Sequence, residues 1–233
     1  AYFVSATDGA GHTATEPAAG PDDPFVLRIT ETMYAYDAED PGDPDWQAGV
    51  IGDDAETGQW ERVDPIGTDY NGLQVQPEDD HTPAPGGAAG ENDVDNGCTT
   101  LLSPVFDLTD VEIAYVTYWR WYGEGGNAID DDFLIEASSD GGVSWTELER
   151  VVDNQNSWQR VAVELNSLAG GTFELTDQVV LRFLACDLND QGLVEAAIDD
   201  FAIETFTSGP TAVGDETPAV GAVTLAQNHP NPF

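Results

Sequence analysis

The sequence predicts an all-β protein: an antiparallel jelly-roll β-sandwich with long loops ordered by metal and with extended termini. Apolar and polar residues alternate with a period of two in several segments, whereas helical periodicity is almost absent. Stretches rich in Gly, Pro, Asp and Asn separate these segments. Because no helices are predicted between the strands, a sandwich is favoured over a parallel sheet.

The predicted strands are, in chain order, FVLRITETMYAY at 25–36, IAYVTYWRWY at 113–122, FLIEAS from Phe133, WQRVAVEL from Trp158, VVLRFLAC from Val179 and VEAAIDDFAIE from Val194. The segment FLIEASSDGGVSWTEL predicts a hairpin, because DGG at 140–142 is a strong turn signal. Residues 64–98 contain few apolar residues and are expected to form a long loop. Nearby carboxylates could bind a metal ion that orders this loop.

One face of the segment at 113–122 carries a stripe of aromatic residues, Tyr115, Trp119 and Trp121. Such a stripe most often packs in the core of a sandwich, and we expect that for at least two of the three. Trp119 and Trp121 could instead form a platform that binds a polysaccharide, because aromatic ring faces pack on the apolar faces of sugar rings.

The chain is expected to divide into four parts. Residues 1–24 hold one short strand, AYFVSA, followed by a connector, and residues 25–207 form the sandwich. Residues 208–221 have the composition of a flexible linker. Residues 222–233 form a tail that its prolines keep extended.

The charge excludes some partners. Of the 233 residues 45 are acidic and six are basic, which gives a formal net charge of -39. Nucleic acid and anionic membrane surfaces are therefore unsuitable partners. No apolar stretch approaches the ~20 residues that span a bilayer, so membrane insertion is not expected. With 40% apolar residues and six tryptophans, the chain has enough material for a core.

Clusters of acidic residues make Ca²⁺ the predicted cofactor, because this ion takes oxygen ligands in irregular loop geometry. A surface adapted to high salt, with solvated acidic loops, is the alternative explanation of the same residues. The candidate ligands drawn from these clusters include Glu39, Asp93, Asp95, Asp130, Asp131, Asp132, Asp199 and Asp200.

No catalytic residue is predicted, and the chain is not expected to be an enzyme. The motifs HExxH and GxSxG are absent from the sequence, and no Cys/His pair stands at metal spacing. Cys98 and Cys186 could form one disulfide, or they could be two buried thiols, since spacing alone does not decide between these.

A series of motifs resembles the secreted MAM-like jelly-roll modules of large bacterial exported proteins. It includes GQWERVDPIGT, NDVDNGCTTLLSPVFDL, YWRWYG, DDDFLIEASSDGGVSWTELE and AIDDFAI, in the order of that family, and covers about residues 34–206. The resemblance implies a sandwich with structural calcium and no catalytic role. It also implies that Asp37 and Glu39 of the first strand meet Asp199 of the last strand at a calcium site.

Both ends of the chain carry further resemblances. The terminal LAQNHPNPF is similar to the opening of the C-terminal sorting domains, immunoglobulin-like tails, of the type IX secretion route. The opening YFVSATDGAGHTATEP resembles the last strand of an immunoglobulin-like domain. These similarities imply export, to the cell surface of a bacterium or to the extracellular space.

The expected function is that of a non-catalytic, calcium-stabilised extracellular module serving adhesion, surface attachment or assembly. An unpaired terminal strand at residues 1–6 could pair with a neighbouring subunit and produce a homo-oligomer or a filament. The alternative is a carbohydrate-binding accessory module of a larger secreted hydrolase.

Overall fold

The computed structural model describes residues 4–7, 13–16, 29–39, 45–77, 93–125, 131–155, 157–188 and 192–207, with backbone alone at 4–7 and 13–16. The strands are β1 (Val4–Thr7), β2 (Thr13–Glu16), β3 (Glu31–Tyr36), β4 (Gln47–Ala48), β5 (Thr68–Tyr70), β6 (Leu73–Gln76), β7 (Gly97–Leu102), β8 (Ile113–Gly125), β9 (Phe133–Ser138), β10 (Thr146–Val151), β11 (Gln159–Glu164), β12 (Val180–Asp187) and β13 (Leu193–Phe206). The predicted linker, the tail and the candidate ligand Asp130 lie outside the described residues.

Two antiparallel sheets confirm the predicted sandwich. One sheet has the order β10-β9-β12-β7-β4, and the other has the order β11-β8-β13-β3. Apart from the β9–β10 hairpin, consecutive strands from β7 onwards lie in opposite sheets, as in a jelly roll. In the described part of the chain, helical structure is limited to two short turns, Leu165–Ser167 and Leu168–Gly171. None of the described helices is long and apolar enough to cross a membrane.

Aromatic side chains fill the core between the sheets. Tyr118 and Phe201 pack edge-on against Phe183, with ring centroids 5.4 and 6.3 Å away, and Tyr122 stacks on Phe133 at 6.2 Å. All five rings are buried. Burial of large apolar rings of this kind is the main favourable term in the stability of such a fold.

The face of β8 that points into this core is the opposite of the expected one. Ala114, Val116, Tyr118 and Tyr122 belong to the core cluster, whereas Tyr115 and Trp119 are only half-buried on the other face. Both faces of β8 are rich in apolar residues, so the period of two locates the strand but does not identify its inner side.

A hairpin occupies part of the segment that was expected to be an irregular loop. β5 and β6 pair across a turn in which Asn71 and Gly72 both have positive φ, at 53° and 85°. This Asn-Gly pair is a strong hairpin signal, which the sequence interpretation passed over. The hairpin packs closely on β8, since a Cβ built at Gly123 would lie 1.8 Å from the carbonyl oxygen of Val75.

The N-terminal segment also differs from expectation. β1 pairs with β2 in an antiparallel sheet of two strands, with Val4 opposite Glu16 and Thr7 opposite Thr13. The expected single unpaired strand is therefore already paired within the chain, inside the residues that were interpreted as a connector. β2 pairs with one edge of β1, so only the other edge of β1 could pair with a neighbouring subunit as the filament hypothesis requires.

Cys98 and Cys186 form a disulfide. The two residues lie directly opposite one another in the β7–β12 pair, beside Gly97 and Asp187. The bond joins the start of β7 to the end of β12, and both of these border the site described next.

Candidate functional site

A cavity of about 310 Å³ lies where the ends of both sheets meet the loops before β5 and after β6. This volume is at the lower end of the ~300–1,000 Å³ range of ligand pockets. Five aromatic residues contribute to its wall, namely the buried Phe201 and four others, Tyr36, Trp46, Trp60 and Trp158. All four are half-buried, as expected for side chains that border both protein and open space.

The tryptophan rings of the cavity are held by hydrogen bonds and by other rings. The indole N–H of Trp46 donates to the Tyr34 hydroxyl at 2.9 Å, and Trp46 stacks on Tyr36 with centroids 5.3 Å apart. The indole N–H of Trp60 donates to the carbonyl oxygen of Thr99 at 3.2 Å. Because these donors are already satisfied, the rings are fixed in place without a ligand.

Polar side chains complete the wall, among them Gln59, Gln76, Arg62, Glu195 and Asp199. The Arg62 guanidinium is engaged, since its Nη1 donates to the carbonyl oxygens of Ala38 at 2.8 Å and Glu39 at 3.3 Å. Amides and carboxylates next to aromatic rings are able to bind a ligand that has both apolar faces and hydroxyl groups.

Glu195 is the most unusual residue of this wall. Its side chain is 2% exposed, and its Oε1 has no hydrogen-bond partner. Burial raises the pKa of Glu195 to about 8, and the neighbouring carboxylate of Asp93 contributes further. Burial of a carboxylate without a partner costs several kcal/mol unless a proton, a cation or a ligand compensates it.

Asp93 acts electrostatically on Glu195, and two further carboxylates, Asp95 and Asp187, act on Asp93. The pKa of Asp93 is raised to about 6, mainly by burial; a hydrogen bond from the Val194 N–H opposes this rise, and the charges of Asp95 and Asp187 contribute to it. That N–H lies 2.9 Å from Asp93 Oδ1, and the Asn96 N–H lies 3.2 Å from Asp187 Oδ2. We call Asp93, Asp95, Asp187 and Glu195 the acidic rim. Within the described residues, no arginine forms an ion pair with the acidic rim.

The predicted calcium ligands of the first and last strands do approach each other in the fold. Tyr36 pairs with Phe201, so Asp37 and Glu39 leave β3 at the end of the sheet where Asp199 lies. Asp199 is 4% exposed, whereas Asp37 is exposed and accepts a hydrogen bond from the Glu39 N–H. Among the described residues, no group of three or more Asp, Glu, His or Cys side chains could by itself hold a metal ion.

The other predicted ligands are spread over the structure. Asp131 is buried and accepts a hydrogen bond from the Leu188 N–H at 2.9 Å, whereas Asp132 forms an ion pair with Arg150. Asp200 has a φ of 48° in the irregular part of β13, and its N–H donates to Asp199 Oδ1 at 2.7 Å. Asp131 and Asp132, the two described acids of the DDD run, therefore have different partners.

Trp119 and Trp121, the alternative sugar platform of the sequence analysis, are not among the residues that line the cavity. Trp121 is 4% exposed, since its indole N–H donates to the carbonyl oxygen of Val75 at 2.8 Å and its ring packs edge-on against Trp158. Trp119 is half-buried on the same face of β8. Sequence reasoning missed Trp46, Trp60 and Trp158 as site residues, because no local pattern connects tryptophans so far apart in the chain.

Comparison with known proteins returned structures but no sequence family. Neither a family model nor a curated protein matches the chain. Similar solved structures include the K3 cleaved adhesin domain of Lys-gingipain from Porphyromonas gingivalis W83, with a TM-score of 0.42 and 16% identity over 74% of this chain and 99% of that one. A carbohydrate-binding module specific for non-crystalline cellulose matches with a TM-score of 0.38 and 14% identity over 80% of this chain and 100% of that one. The CBM22-1 xylan-binding domain from Paenibacillus barcinonensis matches with a TM-score of 0.36 and 12% identity over 79% of this chain and 100% of that one. Similarity this weak does not indicate what the present chain binds.

Proposed function

We propose that this β-sandwich is a non-catalytic binding module of an exported bacterial protein, and that it recognises carbohydrate in the aromatic cavity. The observation that carries the proposal is the wall itself, in which three tryptophans and a tyrosine stand beside side-chain amides and carboxylates. Sugars present apolar ring faces and a rim of hydroxyl groups, which such a wall complements. Adhesion or attachment to a surface is the role that such binding would serve.

The rigidity of the aromatic side chains in the cavity wall supports the proposal. Trp46 is braced by Tyr34, Tyr36 and the core residue Phe201, and Trp60 is braced by Thr99 and Phe133. A wall that is rigid before binding loses little conformational entropy when the ligand arrives. The small volume favours one sugar unit or the end of a chain over the middle of a long polysaccharide.

Binding to a panel of neutral, acidic and amino oligosaccharides, measured by calorimetry, tests this function. Trp60→Ala is expected to weaken binding at least ~30-fold, which corresponds to the ~2 kcal/mol loss of a central aromatic contact. The matched control is Trp145→Ala, because Trp145 lies outside the cavity, under the Arg182 guanidinium.

The control is expected to bind as the unmodified protein does, and circular dichroism should show that both variants are folded. Equal loss in both variants would assign the effect to the fold rather than to the cavity. If no oligosaccharide of the panel binds the unmodified protein, the proposed function is wrong.

Calcium stabilisation of the module is a separate proposal. Asp199 is buried, Oε1 of Glu39 has no hydrogen-bond partner among the described residues, and pairing of β3 with β13 brings the two segments together. Backbone carbonyl oxygens and water would have to supply further ligands, as is usual for Ca²⁺. The ion would bind the folded state and add to its stability.

A further inference from the structure

We propose that the cavity selects saccharides that carry a free amino group, with Glu195 as the residue that receives the protonated amine. This inference rests on the proposed function and names the chemical class of its ligand. It predicts a preference for amino sugars over their N-acetylated and acidic counterparts.

Glu195 provides the geometric basis of this selectivity. It belongs to the cavity wall, it is 2% exposed, and no described residue donates a hydrogen bond to its Oε1. An ammonium group has three N–H donors and no acceptor, so it would supply the donor that Glu195 lacks, and its positive charge would favour the ionised carboxylate over the protonated form that burial favours. A hydrogen bond assisted by charge is about twice as strong as a neutral one, and it is stronger still where water is excluded.

The surroundings of Glu195 favour a cation and disfavour an anion. Asp93 acts on Glu195 electrostatically, and the remaining residues of the acidic rim lie beside Asp93. Arg62 is the one basic residue among the described residues of the cavity wall, and its Nη1 donates to the carbonyl oxygens of Ala38 and Glu39. The net charge of -39 adds a negative potential that repels uronic acids and sulfated sugars.

The aromatic residues of the same wall suit this ligand. Trp46 and Tyr36 form a stacked pair, and Trp60 lies on another part of the wall. Aromatic faces attract cations as well as the apolar faces of sugar rings. One saccharide unit with an amino group could therefore use both the carboxylate and the rings.

The test compares the affinities of β-1,4-linked glucosamine oligosaccharides with those of N-acetylglucosamine oligosaccharides of equal length. A chelator should be present, so that calcium does not compete. About 1 M NaCl shortens the Debye length to ~3 Å and so suppresses general attraction between a polycation and an acidic protein. The unmodified protein is expected to bind the amino form at least tenfold more tightly, and Glu195→Gln is expected to abolish that preference.

Glu174→Gln is the matched control, since it removes the same charge from an exposed site outside the cavity wall and should keep the preference. Equal affinity for the two oligosaccharides would overturn this inference but leave carbohydrate binding intact. A preference that survives in Glu195→Gln would overturn the role of Glu195. Absence of binding to every oligosaccharide would overturn both this inference and the proposed function.

Discussion

Two sets of buried or half-buried carboxylates in this protein have opposite surroundings. Glu149 and Glu136, on strands of the sheet that contains β9 and β10, are each paired with an arginine. Arg120 Nη2 lies 2.6 Å from Glu149 Oε1, and the Arg182 guanidinium that binds Glu136 also lies 4.3 Å from the centre of the Trp145 ring. The acidic rim is without such a partner within the described structure.

The presence or absence of an arginine partner separates acids with a structural role from acids that we propose to bind a ligand. In each arginine pair a guanidinium compensates a half-buried carboxylate, and the chain itself supplies every atom that this requires. For the acidic rim the described residues supply backbone N–H groups but no arginine. Groups that a fold holds at such a cost, beside a cavity, are candidates for ligand binding.

Loss of an arginine partner is expected to give the largest effect. Arg120→Ala should lower the free energy of unfolding by about 3 kcal/mol, because it leaves Glu149 partly buried without its cation. Urea denaturation measures this. Arg160 is exposed and appears in no ion pair of the described structure, so Arg160→Ala should change the free energy by less than about 0.5 kcal/mol. Equal losses in the two variants would mean that the Arg120–Glu149 pair contributes nothing specific.

Calcium is expected to give the next largest effect, if the ion binds where Glu39 and Asp199 approach each other. Free Ca²⁺ at a hundredfold its dissociation constant should stabilise the fold by about 2.7 kcal/mol relative to chelator, in thermal unfolding experiments. Asp199→Asn should abolish that gain, whereas Asp153→Asn, at an exposed position, should keep it. An equal gain from NaCl at matched ionic strength would favour adaptation to salt over a calcium site.

Most of the fold could be predicted from the sequence because alternation is a local signal. The strands from β8 to β13 and the β9–β10 hairpin follow directly from the period of two and the DGG turn. The conformation of this turn requires the residues of the DGG signal. Gly141 and Gly142 adopt positive φ, and Asp140 accepts hydrogen bonds from the Val143 and Ser144 N–H groups. β4 has only two residues, and so short a strand leaves no pattern.

Most of the site could not be predicted, because it is assembled by contacts between distant segments. Glu195 stands in an alternating strand on a face that would be open to water if β6 did not pack across β8 and β13. Gly123, directly opposite Glu195, allows the Val75 backbone to approach closely enough to cover this face. No pattern in the sequence near Glu195 predicts that β6 covers this face. Runs of adjacent acids such as IDDD favoured other positions as candidate ligands.

The acidic rim should also make the free energy of unfolding depend on pH. The change per pH unit is expected to be smaller than the effect of Arg120→Ala or of calcium. The pKa of Glu195 is raised to about 8 in the folded state from 4.5, so between these values the folded state binds more protons than the unfolded state. Stability is therefore expected to fall as pH rises from about 4.5 to about 8, with a slope of at most about 1.4 kcal/mol per pH unit from this group. The raised pKa of Asp93, about 6, acts in the same direction at the lower end of that interval.

Denaturation in chelator at several pH values measures the slope, and Glu195→Gln should flatten it. Glu136→Gln should lower stability through its arginine pair but leave the slope unchanged, because the charge of Glu136 is already compensated. A slope that persists in Glu195→Gln would place the titrating group elsewhere and would remove the distinction between the two sets of acids.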